Sequence, residues 1–407
     1  MLFSINKKSN IKNFLKFLGP GIITAALVFG PGSLTIASKL GAGYQYHLLW
    51  VVLLTTLFMA VFTIMGSRIG ISLDKSLVSI IRDKYGKIFA LIIGIGVFLV
   101  TASFQSGNSI GAGLAFAELF HTSTIPWIIV LSTLAIALLF LKSFYKILEK
   151  IMIIMIGIMI LSFLITLILS RPQLSTMVQG LSPSIPGGSE LLVIALIASS
   201  FSMVGAFYQS YLVQERGWKR NEYKMCQYES LTGIIILGMV TFMIMSAAGS
   251  VLFPQGIHVN SAAEMGKALE PLFGNIASSV FMIGLFAASF SSLLGNATLG
   301  GAVLADTFSL GNRLSSLPLR LLIMVVIVTG AVIAIVFSHL QLNLIIIAQS
   351  LTMIVAPLIG IFILLISSNK ILMGELRNTR YLQFFGILGL VMVVLLGLGF
   401  IHLIFLK

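Results

Sequence analysis

The sequence predicts an all-α integral membrane protein with about eleven transmembrane helices, and three observations predict it. Of 407 residues, 58% are hydrophobic and 9% charged, with a mean hydropathy of +1.09, a balance foreign to soluble domains. Apolar runs long enough to cross ~30 Å of hydrocarbon recur along the whole chain, where a membrane barrel would show short alternating strands. The basic residues, finally, fall in alternate loops.

Taken in order, spanning helices are expected over about 17–40, 48–72, 88–119, 125–142, 150–170, 191–213, 228–252, 273–305, 319–338, 342–368 and 382–406. The N-terminal segment carries Lys7, Lys8, Lys12 and Lys16, and a cytoplasmic N-terminus is the orientation the loop charges test. The cytoplasmic loops then hold Lys75, Arg82, Lys84, Lys87, Lys142, Lys146, Lys150, Arg216, Lys219, Arg220, Lys224, Arg313, Lys370, Arg377 and Arg380, and the opposite loops little beyond Arg171 and Lys267. That asymmetry is the positive-inside rule. It predicts a multi-pass cell-membrane protein with a cytoplasmic N-terminus and an extracytoplasmic C-terminus. The net charge of +13 follows from topology: dispersed basic residues make no nucleic-acid patch, although they suit anionic lipid headgroups. No small-residue cleavage site follows the first apolar run, so it reads as a retained helix and not a signal peptide. The single Cys226 excludes an internal disulfide or a cysteine metal cluster.

The first segment is broken at its middle by Phe29-Gly30-Pro31-Gly32-Ser33. Proline removes a backbone donor and glycine raises the entropic cost of helix, and irregular backbone at that depth is tolerated only where protein or a watery cavity satisfies it. The sixth segment carries a small, hydroxyl-rich stretch, Ala198-Ser199-Ser200-Phe201-Ser202-Met203-Val204-Gly205. Small residues also mediate plain helix packing. Paired interruptions five helices apart nevertheless point to two repeated halves, about 17–170 and 191–368, enclosing a mid-membrane site, with 382–406 as an added helix and 1–407 as one transporter domain. The expected substrate-binding residues are Gly30, Pro31, Gly32, Ser33, Ser202, Met203, Val204, Gly205 and Gln349. Thr101, Gln105 and Asn108 share one face of the third segment; both pathway and interhelical packing fit them. Ser289, Ser291, Ser292 and Asn296 on the eighth segment, and Thr352 beside Gln349 on the tenth, could complete a polar cavity.

These residues carry a resemblance. The run Phe17-Leu18-Gly19-Pro20-Gly21, then Pro31-Gly32, Gly41-Ala42-Gly43-Tyr44 and Leu48-Leu49-Trp50, is similar to the first helix of the NRAMP family of transition-metal transporters. Leu148-Glu149-Lys150, Leu212-Val213-Gln214, Ser291-Ser292 and Leu372-Met373-Gly374-Glu375-Leu376 fit the same family. The resemblance implies a LeuT-like 5+5 inverted repeat with broken helices 1 and 6, working by alternating access. It also implies that the family's metal-binding Asp-Pro-Gly-Asn is here Gly30-Pro31-Gly32-Ser33, and that its Met-Pro-His falls on Ser202-Met203-Val204. The acidic residues of the family's proton route fall on Gln105 and Asn108. Gln349 matches a family glutamine near the metal, and Arg320 one of a pair of arginines.

The acids lead to the same conclusion without the family. All twelve, from Asp74 to Glu375, lie in loops or near predicted helix ends, as do the five histidines. With no central carboxylate, a dehydrated divalent cation is poorly compensated, while half-helix N-termini and the glycines at 30 and 32 favour a small anion. The expected substrate is therefore an anion such as bicarbonate, with Lys39 adding positive potential at the outer mouth. The alternative is a divalent metal ion of the Mn or Mg type, held by Met203, Ser33, Gln349 and backbone carbonyls without proton coupling. Neither reading calls for a cofactor or a resident metal, and no residues at matching depth assemble an enzyme's nucleophile and base. The partners are a small inorganic ion and the bilayer, and a monomer suffices.

Overall fold

A computed structural model describes residues 19–311, 313–337 and 341–405. The N-terminal lysines, Phe17, Leu18 and His339 lie outside the described residues, as does the side chain of His402. The first expected span is two helices, α1 (Pro20–Val28) and α2 (Pro31–Tyr44), meeting at 60°. The second is α3 (Leu49–Ser72), followed by the short amphipathic α4 (Leu77–Tyr85). Next come α5 (Lys87–Phe120), α6 (Thr124–Leu139), α7 (Phe144–Ser170) and the short α8 (Leu174–Gln179). The sixth span is again two pieces, α9 (Glu190–Ser200) and α10 (Met203–Arg216). They are followed by α11 (Tyr223–Val251), the peripheral α12 (Ala262–Phe273), α13 (Asn275–Thr307), α14 (Leu317–Val336), α15 (Gln341–Ser368), the one-turn α16 (Lys370–Met373) and α17 (Arg380–Phe405).

Among the described residues nine helices are long and apolar enough to cross a membrane, and the bent pair α1–α2 makes a tenth. The remaining expected span is α6, at 16 residues only ~24 Å long by 1.5 Å per residue. Apolar side chains face outward, for example Leu161 and Ile168 on α7, Val332 on α14 and Leu395 on α17, while Gln105, Gln209 and Asn108 are buried inside. That inversion of the soluble pattern is what a lipid solvent demands.

Both ends of the bundle are tied by loops from alternate connections, as the charge pattern requires. At one end Arg216 pairs with Glu149, Gln214 Nε2 donates to Leu73 O at 2.7 Å, Arg68 to Arg377 O at 3.1 Å, and Arg82 to the Asp306 carbonyl and Ser309. At the other, Lys267 pairs with Glu118 at 2.8 Å and Trp50 Nε1 donates to Ser184 O at 3.0 Å.

Small residues bring the backbones of the inner helices together. A Cβ at Gly21 on α1 would stand 2.6 Å from Ser230 Cα of α11, and one at Gly70 on α3 would stand 2.5 Å from Ser210 O of α10, the close approach typical of membrane helix interfaces. The start of α1 has a partner that the acid count passed over. Glu229 lies near the beginning of α11, yet it is fully buried. Its carboxylate accepts from Gly19 N at 2.7 Å, Gly21 N at 2.9 Å and Ile22 N at 3.4 Å. It thereby satisfies the orphan donors of a helix N-terminus and complements the positive end of the helix dipole. One turn deeper, Thr24 Oγ1 donates to Gln209 Oε1 at 2.5 Å, Gln209 Nε2 to Ser230 Oγ at 2.9 Å, and Ser67 Oγ meets Ser230 Oγ at 2.7 Å, linking α1, α10, α11 and α3.

Replacing Glu229 with Ala leaves two close N–H groups of α1 buried without an acceptor, which costs about 3 kcal/mol at ~1–3 kcal/mol per buried group. Thermal unfolding in detergent is expected to show a clearly lowered midpoint for Glu229→Ala and a smaller loss for Glu229→Gln, which keeps one acceptor oxygen.

Candidate functional site

The break in the first span begins at Phe29, whose ψ of 89° leaves the helical region. Gly30 is extended at φ −111°, ψ −175°, and Pro31 opens α2 at its first position, where a missing N–H costs nothing. In the sixth span the interruption is confined to Phe201 and Ser202, and Ser202 Oγ caps α10 by accepting from Gly205 N at 3.0 Å. Glu190 to Arg216 nonetheless runs on as one span.

Between the breaks lies a cavity of about 30 Å³, room for ~two waters. It is lined by Leu27, Val28, Gly30, Gly32 and Ser33 of the first span, and by Ala198, Ser199, Ser202 and Val204 of the sixth. From α5 come Val100, Phe104 and Asn108, from α13 Ser292, Asn296 and Leu299, and from α15 Thr352. The floor is tight: a Cβ at Gly30 would stand 2.8 Å from Ser292 Oγ and 3.1 Å from Asn108 Oδ1.

Carbonyls freed by the break are taken up by side chains. Ser291 Oγ donates to Ala26 O at 3.1 Å, Ser292 Oγ to Leu27 O at 2.6 Å and Asn296 Nδ2 to the same oxygen at 3.2 Å. Val28 O accepts from Gly30 N at 3.1 Å and Ser33 Oγ at 3.3 Å. The expectation that bare carbonyls would act as ligands is thus corrected: Leu27 O and Val28 O each already accept two hydrogen bonds.

The donors of the lining are spent in the same way. Ser199 Oγ donates to Leu196 O at 3.0 Å and Thr352 Oγ1 to Ala348 O at 2.9 Å. Asn108 Nδ2 donates to Gln105 Oε1 at 3.3 Å, and Gln105 Nε2 to Leu293 O at 2.9 Å. Ser33, Asn108, Ser199, Ser292, Asn296 and Thr352 therefore turn oxygen lone pairs toward the space. The Ser202 hydroxyl hydrogen, the N–H groups of Gly32 and Ser33 and the second Nδ2–H of Asn108 and of Asn296 are the donors that remain.

Of the residues singled out from sequence, Gly30, Gly32, Ser33, Ser202, Val204 and Asn108 border this cavity, and Pro31 borders a smaller space beside it with Gly32 and Asn108. The rest do not. Met203 is fully buried with its thioether against α15, where Gly360 leaves space for it, so no sulfur faces the cavity. Gly205 packs against Val28. Gln349 is buried outside the lining with both amide atoms lacking a protein partner. Gln105 stands behind Asn108. Lys39 donates to Asn260 Oδ1 at 3.3 Å in a separate pocket with Tyr44 and His258. The apolar lining residues Leu27, Val28, Val100, Phe104 and Leu299 carried no chemical signal in the sequence. Among the described residues no three His, Cys, Asp or Glu side chains come together to hold a metal ion.

The relatives give this geometry its setting. Residues 21–403 match the model of the natural resistance-associated macrophage protein-like family. The chain is 25% identical over 396 residues to the divalent metal cation transporter MntH of Caldanaerobacter subterraneus subsp. tengcongensis, covering 95% of this chain and 93% of the relative. It is 26% identical over 402 residues to that of Erwinia tasmaniensis, covering 96% and 95%. In fold it is similar to the Eremococcus coleocola manganese transporter, with a TM-score of 0.81 at 20% identity over 98% of this chain and 88% of that one. It is also similar to Mhp1, a nucleobase-cation-symport-1 family transporter, with a TM-score of 0.64 at 14% identity over 95% and 92%. A family match across nearly the whole chain, together with the bent first span and the interrupted sixth, makes the protein a multi-pass membrane member of the natural resistance-associated macrophage protein-like family.

Proposed function

We propose that this protein is a secondary transporter that moves a hard divalent cation of the Mg²⁺ type by alternating access, through the cavity between the two helix breaks. Gly30, Gly32, Ser33, Asn108, Ser199, Ser202, Ser292, Asn296 and Thr352 form its substrate site, within the two repeats 17–170 and 191–368. The distribution of basic loops supports a cytoplasmic N-terminus and an extracytoplasmic C-terminus.

The observation that carries this reading is the direction of the hydrogen bonds. Each break brings a helix C-terminus and a helix N-terminus to the cavity, so the dipoles of α1 and α9 oppose those of α2 and α10. The side chains then set the sign. Four hydroxyl hydrogens and one N–H of each of two amide NH₂ groups are committed to protein acceptors, leaving oxygens that can bind a cation or accept from its water shell. All are neutral and hard, the donor type that suits Mg²⁺ or Ca²⁺ in preference to thiophilic metals. With no carboxylate in the lining, full dehydration is uncompensated, so the ion keeps part of its shell, as Mg²⁺ commonly does. The family relatives named as divalent metal cation transporters support the cation class over bicarbonate. An anion would have the Ser202 hydroxyl, the Gly32 and Ser33 N–H groups and the second N–H of each asparagine to draw on, against six side-chain oxygens facing it.

Proteoliposomes holding the protein are expected to show saturable Mg²⁺ uptake that needs no pH gradient. Substituting Asn296 with Leu should weaken uptake roughly tenfold, the value of one hydrogen bond to a charged group at ~1.5–3 kcal/mol. Uptake of labelled bicarbonate with no divalent-cation flux would reverse the assignment. The tight floor gives a second expectation. Gly30→Ala should depress uptake by closing the cavity against Ser292, and adding Ser292→Ala, which removes the oxygen 2.8 Å from the new methyl, should recover part of it.

A further inference from the structure

We propose that Gln105, a residue that does not border the cavity, is a positioning residue that fixes the polarity of the site by locking the rotation of Asn108. The inference rests on the cation reading above and deepens it.

An asparagine side chain is electrically two-faced. Rotated by 180°, Asn108 would present Nδ2 instead of Oδ1 beside Gly30, and the floor of the cavity would change from acceptor to donor. Within α5 a chain of hydrogen bonds forbids that rotation. It starts at the Leu293 carbonyl on α13, which can only accept. Gln105 must therefore turn Nε2 to it, at 2.9 Å. Its Oε1 is then left facing Asn108, and an oxygen can be approached only by a donor, so Asn108 turns Nδ2 to it, at 3.3 Å. Oδ1 is the atom left for the cavity, where it comes within 3.1 Å of a Cβ built at Gly30. Both side chains are buried, Gln105 completely and away from the cavity, so a reversed amide leaves two like atoms in contact at a cost of the order of a lost buried hydrogen bond.

Packing holds the first link of the relay. Gly330 on α14 lies so close that a methyl group there would overlap Gln105 Cβ and Cγ. Asn296 reaches the same orientation in one step, by donating directly to Leu27 O.

The relay separates two roles that a simple structural glutamine would not separate. Gln105→Met keeps length and volume but removes both amide atoms, so Asn108 is free to present either face. Mg²⁺ uptake in proteoliposomes is expected to show a KM raised roughly tenfold, on the scale of a hydrogen bond to a charged group, with the maximal rate little changed. Aspartate at position 108 presents an oxygen whichever way it turns, so adding Asn108→Asp to Gln105→Met should restore the KM. Should Gln105→Met fold poorly, Gly330→Ala displaces Gln105 from the opposite side and carries the same expectation, including rescue by Asn108→Asp. An unchanged KM in the position-105 or position-330 variant, or a raised KM that Asn108→Asp does not repair, overturns the relay while leaving the cation reading intact. Absence of Mg²⁺ uptake by the unsubstituted protein overturns the cation reading, and the relay's role with it.

Discussion

The structure depends on satisfying the backbone where the first span breaks. In a bilayer each unpaired carbonyl costs several kcal/mol, and the turn from Val28 to Pro31 frees three at once. α13 supplies most of the answer. Ser291, Ser292 and Asn296, on adjoining turns of that helix, donate to Ala26 O and Leu27 O, and Ser33 closes back on Val28 O. The same residues then become the cavity wall. The site is therefore a by-product of the repair: groups that stabilise the break are left with their lone pairs directed at the gap.

The other end of α1 is held just as firmly and by different chemistry. Glu229 gathers the amides of Gly19, Gly21 and Ile22, and Gly21 lets the two backbones meet. Thr24, Gln209, Ser230 and Ser67 extend the contact through the neighbouring helices. α1 is thus joined by polar bonds to α3, α10 and α11 on one side and by its freed carbonyls to α13 on the other. Any rearrangement that exposes the cavity has to exchange one of these two sets, and the carboxylate set is the costlier to break because it would leave a buried charge without donors.

How much of this was legible in the sequence follows from what each signal encodes. Composition and run length reveal burial in lipid, and Gly30-Pro31 reveals the break, because proline and glycine act on their own backbone. Side-chain direction is another matter. Met203 sits beside the break in sequence, but α10 starts there and its first residue points to Gly360 on α15, away from the gap. Gln105 and Asn108 share a helical face, yet only the second reaches the cavity, since α13 covers the first. Glu229 lies close to a helix start, as an interfacial acid would, and only the arrival of α1 makes it a buried cap. The expected preference for an anion finds no support among the relatives, and the cation reading proposed above turns on a related point. A sequence counts serines and asparagines, but not which of their atoms are already engaged, and here most hydroxyl hydrogens are used while the oxygens are left.

A neutral lining has a consequence for energetics that no single residue carries. Where a carboxylate forms part of a cation site, the loaded carrier is partly neutralised. In this cavity nothing in the lining offsets the ion. For a divalent ion the loaded state differs from the empty one by two charges, and moving them across the membrane exchanges about 4.6 kcal/mol per 100 mV, at ~2.3 kcal/mol per elementary charge. Under the cation reading proposed above, an inside-negative potential would be enough to drive entry without a coupled proton, which accords with amides at the two α5 positions, Gln105 and Asn108. Retained water spreads the ion's charge and lowers its desolvation cost, while the lone pairs of Asn108, Asn296 and the hydroxyls accept from that water. The absence of a carboxylate, the hardness of the oxygens and the direction of the hydrogen bonds all fit a cation that is escorted across with part of its shell in place.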